Sequence, residues 1–232
     1  MGTLYIVSTP IGNLQDISLR AVQTLFRVAA IACEDTRRTG LLLQHLAQQS
    51  QKQEMERPVL ISYYEQNEQM RIAEIITGLK NGKNVALVSD AGTPAISDPG
   101  FKLIRECVKE KIKVEAIPGA SSVLSALVVS GLPTDKFLFL GYLPHKQSHS
   151  KKLLENVIES TKFVKSTVIL FEAPHKLLKT LGIMQEVLGD YDIVICRELT
   201  KIHEEVLHLK ISECIEHFKK RSPKGEFVIV FH

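Results

Sequence analysis

The chain has 232 residues, 44% of them hydrophobic and 24% charged, with 29 Lys and Arg against 26 Asp and Glu for a net charge of +3. At about 150 residues per domain this is one large domain or two compact ones, long enough to bury a core without covalent staples. The composition excludes a disordered chain and a disulfide scaffold, and the small charge surplus permits a polyanionic partner without requiring one. The four cysteines, at positions 33, 107, 196 and 214, form no C-x-x-C pair, which argues against a zinc ribbon or a redox motif and suits a reducing, cytoplasmic setting. No run approaches about 18 apolar residues, so no membrane span is expected. The opening MGTLYIVSTP lacks the basic flank of a secretory leader, and none is expected.

In chain order, residues 4–7 read as a strand that ends in the loop Ser8-Thr9-Pro10-Ile11-Gly12-Asn13. A short helix over 19–26 leads to a second strand over 28–32. Leu41, Leu42, His45 and Leu46 recur at helical spacing within 36–46. The polar stretch 48–56 reads as a loose surface excursion before a third strand over 59–61. Ile72, Ile75, Ile76 and Leu79 form one stripe of a helix over 68–79. The most apolar strand of the first half, 84–88, runs into the loop 89–100, followed by a helix over 101–110 and a strand over 113–117. This repeated strand-loop-helix pattern predicts a mostly parallel sheet covered by helices on both faces. Pro118-Gly119 interrupts it, and the boundary is placed within 118–134, giving α/β domains over 1–118 and 119–232. In the second half a helix over 120–129 precedes a strand over 137–140, a loop over 141–150 and a helix over 151–159. A strand over 167–171, a helix over 175–188, strands over 192–196 and 206–209, a helix over 212–221 and a strand over 226–231 follow, with hairpin character around 192–209.

Ligands of open α/β sheets bind outside the carboxyl ends of the strands, so the loops after strands carry the chemistry. In the loop after the fourth strand, Ala91 and Gly92 let a ligand approach the backbone and Pro94 stiffens that approach, while Asp90 and Thr93 offer polar contacts. Asp98-Pro99-Gly100, further along, is by itself a good turn and helix start. Pro10 and Gly12 follow the first strand, but no G-x-G-x-x-G or G-x-x-x-x-G-K-[ST] pattern exists, which argues against a dinucleotide turn or a P-loop. Ser121 and Ser122 bring hydroxyls to a helix start, where they serve equally as caps. Glu34 and Asp35 beside Arg37 and Arg38 can hold a polar substrate or simply open a helix. Residues 145–152 contain two His and three Lys and no acid, a composition that can touch phosphates or form an ordinary solvated loop. No H-x-x-H or H-E-x-x-H spacing supports a metal site, and no G-x-S-x-G marks a hydrolase.

Taken together, LYIVSTPIGNLQDISLRA, IACEDTRRT, LISYYEQNE, VALVSDAGTPAISDPG, PGASS, GLPTDKFLFLGYLP, FEAPHKL, RELTKIHEE and KGEFVIV resemble the ribosomal RNA small subunit methyltransferase I group of the tetrapyrrole methylase superfamily. The resemblance spans nearly all of 3–231. It implies two α/β domains with S-adenosyl-L-methionine in a cleft between them, a homodimer, and methylation of a cytidine ribose 2′-oxygen in the decoding region of 16S ribosomal RNA, free or in the assembled small subunit. On that resemblance Pro10, Gly12, Asp90, Ala91, Gly92, Thr93, Pro94, Ser121, Ser122, Phe171, Ala173, Leu199 and Gly225 are expected at the cofactor. Arg37, Arg38, Arg197 and Lys201 are expected at the RNA, and Glu34, Glu198 and Lys224 are the candidates for proton removal or orientation, with no metal. Two other readings stay open at this point. One is a methyltransferase acting on a tetrapyrrole precursor, and the other a non-enzymatic RNA-binding protein with a degenerate cofactor cleft.

Overall fold

Near-continuous burial along the central strands organises the first sheet. In the computed structural model, which describes residues 1–49 and 58–232, the chain divides into two units, Met1–Ser121 and Ser122–His232. The first holds β1 (Thr3–Val7), β2 (Ala30–Cys33), β3 (Val59–Ser62), β4 (Val85–Leu87) and β5 (Lys113–Ile117), paired in the order β3-β2-β4-β1-β5. Every pairing in this sheet is parallel. Its helices are α1 (Leu19–Leu25), α2 (Thr36–Gln49), α3 (Glu68–Lys80) and α4 (Phe101–Lys109). Successive strand residues point to opposite faces. Leu4, Val85 and Leu87 therefore pack with Ile75 and Leu79 of α3 and Leu103 and Cys107 of α4. Val7, Ile31 and Ala86 pack with Ala21 and Leu25 of α1 and Leu43 and Leu46 of α2. A parallel sheet buried on both faces is what the strand-loop-helix pattern predicted.

The second unit holds α5 (Ser122–Val129), β6 (Phe137–Tyr142), α6 (Gln147–Thr161), β7 (Thr167–Glu172), α7 (Leu177–Leu188), β8 (Asp192–Arg197), β9 (Glu205–Lys210), α8 (Ile211–Lys220) and β10 (Phe227–Phe231). Its sheet runs β6-β7-β10-β8-β9, with β6 and β7 parallel and the remaining pairs antiparallel. The last strand lies at the centre, and all five of its residues are buried. Phe227, Ile229 and Phe231 face the cluster built with Leu154 of α6, Leu181 of α7 and Phe218 of α8. Phe227 meets Phe218 edge-on with ring centroids 5.5 Å apart. Phe227→Ala is expected to lower stability by about 3–5 kcal/mol, measured by urea denaturation, because a fully buried ring leaves a cavity that the surrounding strands cannot close.

Several expected boundaries shift for identifiable reasons. The second strand is Ala30–Cys33 rather than 28–32, because Val28 donates its amide to Thr24 in the turn that ends α1. Val28 still packs into the core from that turn. The expected excursion 48–56 begins inside α2, whose last residues are Gln48 and Gln49, and the rest of it lies outside the described residues. The helix expected from 120 starts at Ser122, after the non-helical Ala120 and Ser121. The expected loop 141–150 shrinks to four residues. β6 reaches Tyr142 beside Phe171, and α6 starts at Gln147, where the buried Ser150 hydroxyl donates to the Pro144 carbonyl (2.7 Å). α7 starts at Leu177, not 175, because Lys176 and Leu177 first close a turn onto the Ala173 carbonyl. Among the described residues no helix is long and apolar enough to cross a membrane, and all four cysteines are buried and unpaired.

Candidate active site

Parallel strands all end at one edge, so the loops that follow β1, β2, β4 and β5 gather there. Thr9 and Gly92 exchange both backbone hydrogen bonds (2.9 and 3.1 Å), which joins the loop after β1 to the loop after β4. The Thr9 hydroxyl also donates to the Ser89 carbonyl (3.2 Å). Thr93 Oγ1 lies 2.9 Å from Ser8 Oγ and donates to the Ala120 carbonyl (3.2 Å), tying in the loop after β5. Gly92 has φ +81°. A Cβ there would meet Ile11 Cγ2 at 3.3 Å. Pro10 and Pro94 are buried beneath this junction, while Gly12 and Ala91 are exposed. Ala95 and Ser97 also take left-handed backbone conformations, at φ 68° and 62°. Such conformations cost side-chain-bearing residues about 1–3 kcal/mol each and cluster where a loop is shaped for a task. The end of this loop, from Ser97 to Phe101, lines a cavity of 330 Å³ with Glu65, Glu68 and Lys102.

Glu34 follows β2 at the same edge, and its Oε1 is buried without a hydrogen-bond partner. Burial, helped by the nearby Asp98 and Asp90 charges and opposed by Arg38, pushes its carboxyl up to about 7. Asp98 is itself raised, by burial and by Asp90, against a hydrogen bond from Ser89. Asp90 has partners on both oxygens: its Oδ1 accepts from the Asp35 amide (3.2 Å) and its Oδ2 pairs with Arg38 Nη1 (3.3 Å). Asp35 is different, because the Arg37 guanidinium grips it through Nε (3.0 Å) and Nη2 (2.7 Å) and holds its carboxyl far below the usual range. One strand-end segment thus carries one carboxyl pushed up to about 7 and one held well below the usual range.

In the second unit the register sets Glu172, Phe227 and Arg197 abreast, so the ends of β7 and β8 and the start of β10 share one edge. Glu198 has φ 49° and Thr200 φ 66°. The Glu198 amide donates to the Glu226 carbonyl (3.0 Å), and Glu198 Oε1 accepts from the Glu226 amide (2.9 Å) and from Lys201 Nζ (2.9 Å). Burial works to raise the Glu198 carboxyl, but those hydrogen bonds outweigh it and leave the group below its ordinary value. Lys201 also reaches Glu226 Oε2 (3.0 Å). Arg197 donates from Nε to the Lys224 carbonyl (2.7 Å) and pairs with Glu205 (3.5 Å). Gly225, at φ +93°, sits against this knot, and a Cβ on it would fall 2.5–2.6 Å from the Glu198 side chain. Gly225→Ala is expected to lower stability by about 1–3 kcal/mol in thermal denaturation, since both the left-handed backbone and the Glu198 position must give. Phe171 is half-buried, edge-on to Phe139 (4.9 Å) and Tyr142 (5.6 Å), and Leu199 is buried. The Ala173 amide donates to buried Glu172 (2.7 Å).

The structure thus brings Pro10, Gly12, Glu34, Arg37, Arg38, Asp90–Pro94 and Ser121 to one edge of the first unit. Phe171, Ala173, Arg197–Lys201, Lys224 and Gly225 lie at one edge of the second, and Ser122 opens α5. Sequence reading missed Ser8, Thr9, Asp98, Glu172 and Glu226 as members of these networks. Asp98 looked like a turn residue, and only the tertiary structure sets it beside Glu34.

Two α/β units, the first with parallel strand-end loops joined through small and hydroxyl residues, define a methyltransferase architecture once compared with known proteins. The tetrapyrrole (corrin/porphyrin) methylase family model matches residues 3–215. The ribosomal RNA small subunit methyltransferase I of Thermotoga maritima is 46% identical over 99% of this chain and 98% of its own length. The Bacillus subtilis protein of the same name is 45% identical, over 99% of this chain and 75% of its own length. Among solved structures, a diphthine synthase matches with TM-score 0.71 at 17% identity, covering 99% of this chain and 89% of that one. A uroporphyrin-III C-methyltransferase of Thermus thermophilus complexed with S-adenosyl homocysteine matches with TM-score 0.64 at 13% identity, covering 99% and 97%. The chain belongs to the tetrapyrrole methylase family and, within it, to the ribosomal RNA small subunit methyltransferase I group.

Proposed function

We propose that the chain transfers a methyl group from S-adenosyl-L-methionine to the ribose 2′-oxygen of a cytidine in 16S ribosomal RNA. The observation that carries the reaction type is Glu34, a carboxyl with a buried, unpartnered oxygen and a pKa near 7. A ribose hydroxyl is a poor nucleophile until its proton leaves, and a base serves best when its pKa lies near the working pH. Glu198, already holding Lys201 and the Glu226 amide, suits holding loop 198–201 against 224–226 better than accepting a proton. Bound S-adenosyl-L-methionine supplies a methyl carbon made electrophilic by its sulfonium.

The residues fit that cofactor. The hydroxyls of Ser8, Thr9 and Thr93, the Asp90 carboxylate and the close-approach backbone at Gly92 form a donor and acceptor set for an amino-acid or ribose end. Pro10, Gly12, Ala91, Pro94, Ser121 and Ser122, with Phe171, Ala173, Leu199 and Gly225, complete the proposed cofactor contacts. Arg37, Arg38, Arg197 and Lys201 keep their proposed place near the RNA, and Lys224 is exposed at the second unit's edge. A homodimer in the cytoplasm is part of the same reading.

The test is methylation of 16S ribosomal RNA and of assembled small subunits with labelled cofactor, followed by nuclease digestion and mass spectrometry. The expected product is a 2′-O-methylcytidine. A methyl group on a base refutes the ribose assignment, and transfer to a tetrapyrrole precursor but not to RNA refutes the substrate class. Sedimentation at the mass of a single chain refutes the dimer.

A further inference from the structure

One cavity of the first unit lies apart from the residues proposed for the cofactor. It measures 330 Å³ and is walled by Glu65 and Glu68 from the chain after β3, and by Asp98, Phe101 and Lys102 from the chain after β4. The strand order β3-β2-β4 sets the end of β2 between those two walls. Backbone bonds fix this closely. The Tyr63 amide donates to the Cys33 carbonyl (2.8 Å) on one side of β2, and the Val88 amide donates to the Ala32 carbonyl (2.9 Å) on the other. Glu34 is the next residue at that strand end, and Asp98 on the cavity wall is near enough to act on its carboxyl. The cavity therefore adjoins the group proposed to take the ribose proton.

Packing alone does not explain the lining. Glu68 is buried, pairs with Lys102 and accepts from the hydroxyl of the fully buried Tyr63 (3.3 Å). A buried ion pair contributes little to stability, because the desolvation of both charges offsets their attraction. Phe101 lines the same cavity yet is mostly exposed, with the Arg105 guanidinium 5.4 Å from its ring centroid. An aromatic ring left open to water beside a polar cavity is a stacking surface for a flat group, as in proteins that hold unpaired bases.

Size and charge narrow the occupant. Ligand pockets span about 300–1,000 Å³. At 330 Å³ this one sits at the small end, with room for a pyrimidine rather than a tetrapyrrole macrocycle. Glu65, Glu68 and Asp98 stand against Lys102 alone, a balance that repels phosphate. Among the described residues no group of His, Cys, Asp and Glu is placed to hold a metal ion. Carboxylates accept hydrogen bonds from the exocyclic amino group of cytosine, whereas uracil carries a carbonyl oxygen at that position. Lys102 offers the donor that a pyrimidine carbonyl takes.

We propose that this cavity receives the base of the target cytidine, stacked on Phe101 with its amino group donating to Asp98, and that it selects cytosine over uracil. The proposal rests on the RNA reading above and adds what recognises the base. With the base held there, the ribose lies toward the end of β2, where Glu34 meets its 2′-hydroxyl. Asp98 then has two effects, one on Glu34 and one on the base, and only the second depends on which base is present.

The test uses the full chain and its Asp98→Asn and Phe101→Ala variants, with 16S ribosomal RNA carrying cytidine, uridine or an abasic ribose at the methylated position. Methyl transfer gives kcat/KM for each RNA, and calorimetry gives the affinity for S-adenosyl homocysteine. The parent is expected to prefer cytidine over uridine by about tenfold or more. Asp98→Asn is expected to reduce that preference to about threefold or less. The ratio of the two RNAs cancels any change at Glu34, because both share the same proton step. Phe101→Ala is expected to lower kcat/KM on the cytidine RNA by about tenfold, and by much less on the abasic RNA, where no base remains to stack. Cofactor affinity stays at the parent value in both variants. A parent that methylates all three RNAs equally overturns the pocket, and so does Asp98→Asn with the parent preference. A Phe101→Ala loss of the same size on the cytidine and abasic RNAs removes the stacking role and assigns that residue to the fold. A parent that binds cofactor but methylates none of the RNAs overturns the RNA reading and the pocket with it.

Discussion

Glu34→Gln is expected to slow single-turnover methyl transfer by about 10²- to 10³-fold while leaving cofactor and RNA affinity within about twofold, the signature of a group used in the transition state. The parent rate should rise with pH and level off above about 7, as the carboxyl raised by burial, Asp98 and Asp90 loses its proton. The variant should lack that step. Stability should move the other way. A carboxyl whose folded pKa lies above the model value of 4.5 binds its proton more tightly in the native state. It therefore stabilises the fold fully below that value, and the contribution is lost as pH rises through about 7. Glutamine, which never ionises, should then make the protein more stable than the parent at pH 8 by about 1–2 kcal/mol, after discounting for the water that reaches this group, with little difference at pH 4. Urea denaturation at the two pH values reads this directly. A variant that is both less active and less stable at pH 8 would show that Glu34 serves the fold, and one with the parent rate would remove it from the reaction.

Gly92→Leu is expected to abolish saturable binding of S-adenosyl homocysteine in a calorimetric titration. The backbone at Gly92 is left-handed, and its first side-chain carbon would already press on Ile11 at 3.3 Å with the Ala120 carbonyl at 3.9 Å. A leucine adds three further carbons to that space, and the left-handed conformation itself costs an L-residue about 1–3 kcal/mol. The two Thr9–Gly92 backbone bonds join the first and fourth strand loops, so whatever displaces Gly92 displaces both. Gly92→Ala keeps the test informative if the leucine variant folds poorly. It should stay folded, with circular dichroism like the parent, and bind at least about tenfold more weakly, through about 1.4 kcal/mol of lost loop geometry. Parent-like affinity in either folded variant would mean that this backbone does not shape the cofactor site.

Much of this was legible before any coordinates. The short apolar runs around Leu4, Ala86 and Ile117, set between helical stripes such as Ile72-Ile75-Ile76-Leu79, define a parallel sheet covered on both faces, because few other arrangements bury those residues. Glycine, proline and hydroxyls after those runs marked the candidate loops, since close backbone approach needs small residues whatever the fold. The nine quoted motif segments also carried the family, which is now shown. Boundaries depended on single tertiary bonds instead. α6 starts inside an apparent loop because Ser150 reaches Pro144, a contact that periodicity does not encode.

The states of the charged groups lay further from the sequence. Glu34 and Asp35 are neighbours of the same chemical type, yet one is raised to about 7 and the other held far down. The difference comes first from the burial of Glu34, then from Asp98, 64 positions along the chain from it, and from which carboxylate the Arg37 fork reaches. In the same way Arg197 and Lys201 read as plain cations in sequence and prove to be tied to Glu205, Glu198 and Glu226. Composition and periodicity therefore determined most of what forms the core and where the loops fall, because apolar character is a property of each residue's own side chain. Charge and proton affinity depend on neighbours a few ångströms away, and chain folding alone decides who those neighbours are.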